Sequence, residues 1–225
     1  MRYQLLATDY DGTLATDGKV TAETVASLKD LLATGRRLVL VTGRELDDLM
    51  TVYPDLTIFE RVVAENGALL YRPATKERRR LAEPPPAALL AALRRRGVAP
   101  LSSGEVIVAT REPHETEVLE AIRELGLELQ VIFNKGAVMI LPSGVNKATG
   151  LRAAAERLNL KPEQIAGVGD AENDHAFLKI CGYSVAVANA LPAIREEVDW
   201  VTERDHGDGV TDLIDRMLAP QEAIR

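Results

Sequence analysis

A recurring alternation constrains this chain more than any other feature. Short aliphatic runs, each stopped by a turn residue, give way to stretches whose apolar residues repeat at helical spacing. Residues 3–8 read as a buried strand that breaks at Asp11-Gly12. Residues 21–34 read as a helix: Thr21 can cap it, Val25, Leu28, Leu31 and Leu32 share one face, and Gly35 closes it. A strand over 37–41, a helix over 45–52 and strands over 61–64 and 68–71 follow, the last two parted by Asn66-Gly67. Strands alternating with helices predict a parallel sheet covered by helices, joined by right-handed crossovers.

The rhythm changes after Pro84-Pro85-Pro86, an extended, stiff punctuation. A helix over 87–96, a strand over 105–110, a helix over 115–125 and strands over 128–133 and 137–141 come next. Asn134-Lys135-Gly136 between the last two predicts an antiparallel hairpin, since strands on so tight a turn can pair no other way. This stretch reads as a small α+β insert. Alternation then resumes with helices over 147–158, 171–180, 192–198 and 210–218 and strands over 164–168, 183–187 and 200–201. Residues 220–225 read as a tail.

The formal net charge of −7 disfavours nucleic acid as a partner, because proteins that bind it carry a basic footprint. The dense basic cluster at residues 76–80 reads as a solvated face. Cys181 is the only cysteine, which rules out an intrachain disulfide and fits a reducing compartment. The first eight residues lack the features of a secretory signal, and no apolar run approaches a membrane span. The expectation is a cytoplasmic protein without a membrane partner.

Four places carry chemistry, and each follows a strand or opens a helix, the sheet edge at which open α/β folds bind ligands. Asp9 and Asp11 flank Tyr10 at the end of the first strand. One carboxylate can attack phosphorus while a second nearby moves the proton of the leaving oxygen. An ordinary Asp-Gly turn is the plain alternative. Thr42-Gly43 could hold phosphate oxygens with a hydroxyl and a backbone N–H, or simply cap the next helix. Lys147 lies at a helix start, where a cation gains nothing from the helix dipole. That suggests neutralisation of phosphate, against the alternative of a solvated lysine. Asp170, in Gly169-Asp170-Ala171-Glu172-Asn173-Asp174, could bind Mg²⁺, with Asp174 one turn on along the same face; helix capping is the plain alternative. The four together, in one order on one scaffold, leave little room for the plain readings.

With these residues in view, the chain resembles the haloacid dehalogenase (HAD) superfamily of phosphatases. Asp9–Thr13 (DYDGT), Val41–Arg44 (VTGR), Lys147 and Gly169–Asp174 (GDAEND) are similar to its four motifs, in order. The insert between the second and third motifs, and Glu65–Ala68 (ENGA) before it, are similar to the Cof-like branch. The resemblance implies a three-layer, Rossmann-like α/β core of parallel strands over 1–81 and 143–225, with a small α+β cap over 82–142. It implies Asp9 as nucleophile and Mg²⁺ ligand, and Asp11 as general acid and base whose carbonyl also binds the metal. Thr42, Gly43, Lys147 and Asn173 would hold the phosphoryl group. Asp170 would bind Mg²⁺, and Asp174 would support it through water or a neighbouring group.

Other signals lead elsewhere or nowhere. Gly167-Val168-Gly169 lacks the third glycine of a dinucleotide turn, there is no P-loop run, and His114, His175 and His206 show no zinc spacing. His175 reads as structural, Cys181 as a small core residue, and Arg111, His114, Asn134 and Lys135 as candidate readers of the leaving group. The leading expectation is a phosphatase acting on a small phosphorylated metabolite, such as a sugar phosphate or phosphoglycolate. A phosphomutase or phosphotransferase, and a non-catalytic phospho-ligand or regulatory module, are the alternatives.

Overall fold

A computed structural model describes residues 3–219. In chain order the elements are β1 (Leu5–Thr8), α1 (Ala22–Ala33), β2 (Arg37–Val41), α2 (Leu46–Val52), β3 (Arg61–Ala64), β4 (Leu69–Arg72), β5 (Glu77–Arg80), α3 (Ala87–Arg95), β6 (Ser102–Ser103), β7 (Val108–Arg111), α4 (Glu115–Glu124), β8 (Leu129–Asn134), β9 (Ala137–Pro142), α5 (Lys147–Arg157), β10 (Ile165–Gly169), α6 (His175–Leu178), β11 (Tyr183–Ala186), α7 (Pro192–Arg195), β12 (Trp200–Val201) and α8 (His206–Leu218). No helix among the described residues is long and apolar enough to cross a membrane.

The strands form an eight-stranded sheet in the order β12-β11-β10-β1-β2-β3-β4-β5 and a four-stranded sheet in the order β6-β7-β9-β8. From β12 through β3 all pairs are parallel. The chain steps one way from β1 to β2 and β3, and the other way from β10 to β11 and β12. The carboxyl ends of β1 and β10 therefore flank a topological switch point, where a crevice opens between helices on opposite faces. Asp9 and Asp170 follow those two strand ends directly, and the Asp9 N–H donates to the Val168 carbonyl at 3.0 Å.

The expected parallel sheet needs one correction: β4 and β5 run antiparallel at one edge. The basic cluster is β5 itself. It is exposed at every residue, and Arg78 and Arg80 pair with Glu105. A charged edge strand discourages pairing with another chain. The helix expected over 171–180 is a single 3-10 turn, Glu172–Asp174, followed by the four-residue α6. The Asp174 carboxylate accepts the N–H groups of Asp170 and Ala171 at 2.9 and 3.0 Å, and so satisfies donors that a regular helix would leave open.

Helix α1 begins where Thr21 accepts the Thr24 N–H at 3.1 Å, and it buries Leu28 and Leu31 fully. Each such leucine contributes about 2–3 kcal/mol. In the small sheet the alternation of strand side chains divides the labour. Val108, Val138 and Ile140 pack under α3 and α4 against Leu93, Val118 and Ala121, while Ala109, Ala137 and Met139 face the large sheet.

The turn between β3 and β4 makes two close approaches. The buried Glu65 carboxylate accepts the backbone N–H groups of Glu105, Val106 and Ile107 at 2.8, 2.7 and 2.9 Å. Next to it, Gly67 at φ +103° lies against the start of α5. A Cβ there would fall 1.9 Å from the Asn146 carbonyl oxygen, and one on Gly150 would fall 2.7 Å from Gly67 Cα. These bare backbones let α5 sit close enough to bring Lys147 inward. Gly67→Ala is therefore expected to destabilise the protein by about 3 kcal/mol or more, through both positive φ and overlap with backbone. Urea unfolding measures this, and an unchanged midpoint would show that α5 is not held by that approach.

Candidate active site

The site is built at the ends of β1, β2 and β10 and at the first turn of α5. Asn146 caps α5: its side chain accepts the Thr149 N–H at 3.0 Å, and the Thr149 hydroxyl accepts the Asn146 N–H at 3.0 Å. Such a box is worth about 1 kcal/mol and fixes the helix start. Lys147, the first helical residue, is 1% exposed. Its ammonium donates to Asp9 Oδ1 and to Asp174 Oδ1, each at 2.5 Å.

Asp9 is 4% exposed. Burial, and next the Asp174 charge, push its carboxyl well above the ordinary value, with Lys147 opposing them. Burial pulls the Lys147 ammonium down, but Asp174 and Asp9 outweigh it, so it stays charged. Asp170 is also raised, by burial and then by Asp174, against the pull of Lys135. Thr13 donates to Asp170 Oδ1 at 2.8 Å.

Asp9, Asp170 and Asp174 offer carboxylate oxygens within 4.8 Å of one another, all buried. An all-oxygen set without histidine or cysteine suits a hard cation and disfavours zinc. Within it Asp174 stands apart. One oxygen takes two backbone N–H groups and the other takes Lys147, so this side chain is committed to holding Lys147 and the 169–171 turn.

The remaining residues picked out from the sequence converge on the same corner. Thr42 is fully buried, and its hydroxyl accepts the Arg44 N–H at 3.1 Å, which leaves its own proton to donate. Asn173 Nδ2 donates to Asn66 Oδ1 at 3.0 Å, and Asn66 Nδ2 is a buried donor unpaired among the described residues. Gly43, Asp9 and Asp11 line a cavity of about 510 Å³. Arg111, Asn134 and Lys135 reach it from the small sheet. His114 does not, because its ring bonds the Ala99 carbonyl at 3.0 Å. His175 pairs with Glu197 on the surface, and the Cys181 thiol, pushed up by burial, donates to the Phe177 carbonyl.

Four participants, Arg44, Asn66, Asn189 and His206, had no role assigned from the sequence. Arg44 grips both Asp11 oxygens at 2.6 and 2.8 Å and Asp48 at 2.6 Å. Asn66 meets Asn173, and the Gly12 carbonyl accepts from Asn189 Nδ2 and the His206 ring, each at 2.8 Å. Arg44 ends the Thr42-Gly43-Arg44 run and could have been found there. Asn189 and His206 had no local signal, being 177 and 194 residues away from Gly12.

Lys147 balances the carboxylates, which gives a sign-specific expectation for protein stripped of metal. A carboxyl raised in the folded chain holds its proton more tightly there than when unfolded. Its contribution favours folding at low pH and is lost as pH rises through the folded value. Lys147→Met removes the opposing cation. The deficit against wild type should be about 3–5 kcal/mol at neutral pH and shrink toward about pH 5. Urea midpoints across that range test it; a deficit that stays flat or grows on acidification contradicts the balance.

Residues 6–84 and 102–214 match the family model for haloacid dehalogenase-like hydrolases. The phosphoglycolate phosphatase of Methanothermobacter thermautotrophicus is 31% identical over 95% of this chain and 98% of its own. Phosphoglycolate phosphatase 2 of Saccharolobus solfataricus is 31% identical over 96% and 92%. Among solved structures, a haloacid dehalogenase-like hydrolase from Bacteroides thetaiotaomicron superposes with a TM-score of 0.79 at 19% identity, over 96% of this chain and 99% of that one. Thermoplasma acidophilum 0175 gives 0.80 at 17%, over 96% and 98%. This chain belongs to the haloacid dehalogenase-like hydrolases.

Proposed function

We propose that this protein is a Mg²⁺-dependent phosphatase that hydrolyses a small phosphorylated metabolite, of the phosphoglycolate or sugar phosphate class, through an aspartyl phosphate on Asp9. One observation carries the reading: a buried carboxylate at the switch point is held at 2.5 Å by a buried lysine, beside a second buried carboxylate, at the floor of a cavity.

In this reading Asp9 Oδ attacks phosphorus and the bond from phosphorus to the ester oxygen breaks. Asp11 passes a proton to the departing oxygen. Water then attacks the acyl phosphate, gives its proton to Asp11, and frees phosphate and Asp9. Asp11 must exchange Arg44 for the leaving oxygen to do this, so Arg44 keeps it oriented between turnovers. Lys147, the Thr42 hydroxyl, the Gly43 N–H and the amides of Asn66 and Asn173 receive the phosphoryl oxygens. Asp9, the Asp11 carbonyl and Asp170 would hold the metal, and Asp174 would steady it indirectly. Bound there, Mg²⁺ would offset the repulsion between Asp9 and the phosphate and stabilise charge on the transferring group.

Residues 82–142 would act as a cap over a core formed by 1–81 and 143–225. Arg111 and Lys135 on the cap side suit a leaving group that is itself anionic, as a carboxylate is. The names of the two relatives, both phosphoglycolate phosphatases, point the same way.

Phosphate release should require divalent metal, and phosphoglycolate should head a substrate panel. Asp9→Asn should abolish release, and Asp11→Asn should lower kcat about 10²–10⁴-fold. Activity that survives Asp9→Asn sinks the covalent route. Saturating Mg²⁺ should also raise the Tm by about 5–10 °C in wild type and not in Asp170→Asn. Equal shifts in both would remove Asp170 from the metal site.

A further inference from the structure

The hairpin of β8 and β9 turns over the cavity on two residues, Lys135 at φ +47° and Gly136 at φ +78°. Two successive left-handed residues make a type I′ turn, which matches the twist of the strands and fixes the tip. From this tip the Lys135 ammonium reaches Asp170 Oδ2 at 2.5 Å and the Asp11 carbonyl oxygen at 3.3 Å. Its side chain is 46% exposed, against 2% for that of Asp170, so a cation enters from the solvent side onto a buried carboxylate. Asp170 Oδ1 is already engaged by Thr13, which makes Oδ2 the oxygen left for a cation.

We infer that Lys135 is a tethered competitor of the divalent cation, so that metal entry and lifting of the hairpin tip are a single event. The inference rests on the metal reading given above. An ammonium at hydrogen-bond distance and a metal ion at about 2.1 Å cannot share one oxygen face. Competition lowers apparent metal affinity by the fraction of molecules in which the lysine is withdrawn. Once lifted, Lys135 remains over the cavity beside Asn134 and Arg111, placed to take an anionic group of the substrate. Metal and substrate would thereby favour the same hairpin position.

Calorimetric titration of Mg²⁺ into the full chain, stripped with EDTA and desalted, decides this for wild type, Lys135→Gln, Lys135→Met and Arg111→Gln. Both Lys135 variants should bind about three- to tenfold more tightly than wild type. Arg111→Gln removes another positive charge from the same cavity and should change affinity by less than about twofold. Unchanged or weaker binding by the Lys135 variants overturns the inference, as does equal tightening in Arg111→Gln, which would reduce Lys135 to part of a general field. Tightening in Lys135→Gln alone also overturns it, since the new amide oxygen would then be the cause. Absence of binding by every protein, wild type included, removes the metal reading itself, whereas equal affinities across the set remove only this inference.

Discussion

The ammonium of Lys147 lies between Asp9 and Asp174, and much of the molecule is arranged to keep it there. Three carboxylates are buried around one point, and like charges so close cannot all ionise without compensation. A lysine with under 2% exposure has itself lost its hydration, and only carboxylates at hydrogen-bond distance restore it. Each partner makes the other's burial tolerable. The arrangement is specific for that reason: removing either side leaves a buried ion without its partner.

Holding that lysine bends local rules elsewhere. A cation at the first position of α5 opposes the helix dipole, and the capping box of Asn146 and Thr149 fixes the helix despite it. Glu65 and Asn66 adopt left-handed backbone at φ +53° and +54°, and Gly67 follows at +103°. Non-glycine residues in this region are unfavourable unless their surroundings compensate. Here they do: Glu65 accepts three N–H groups from the turn between β6 and β7, the Asn66 N–H donates to the Thr42 carbonyl, and Gly67 admits α5. One short turn thus ties the loop after β2, the smaller layer and the lysine helix together.

The smaller layer contributes through alternation along its strands. Residues that face α3 and α4 build its own apolar core, and their neighbours on the other side roof the cavity. A side chain that reaches the carboxylates from this roof must come from the end of a strand pair, and the two-residue turn places Lys135 there.

The sequence by itself determined the alternating architecture, the insert and the residues that meet at the sheet edge. These are local matters: periodicity of 2 or 3.6, turn residues, and carboxylates just past strand ends. Asp9, Asp11, Thr42, Gly43, Lys147, Asp170 and Asp174 could be singled out because each follows a strand or lies in the first turn of a helix, whereas Asn173 was reached only through the family resemblance. The antiparallel edge of β4 and β5 was hidden because a strand of four charged residues has no apolar face to show. The shortening of the helix expected over 171–180 was hidden because the Asp174 carboxylate bonds backward to backbone, which no periodicity reveals. Only the tertiary structure decided that Arg44 holds Asp11, that Asn189 and His206 hold the Gly12 carbonyl, and that Lys135 meets Asp170. Those contacts join residues 33 to 194 positions apart. Their strength depends on the distance and burial that folding creates, which composition and spacing along the chain do not encode.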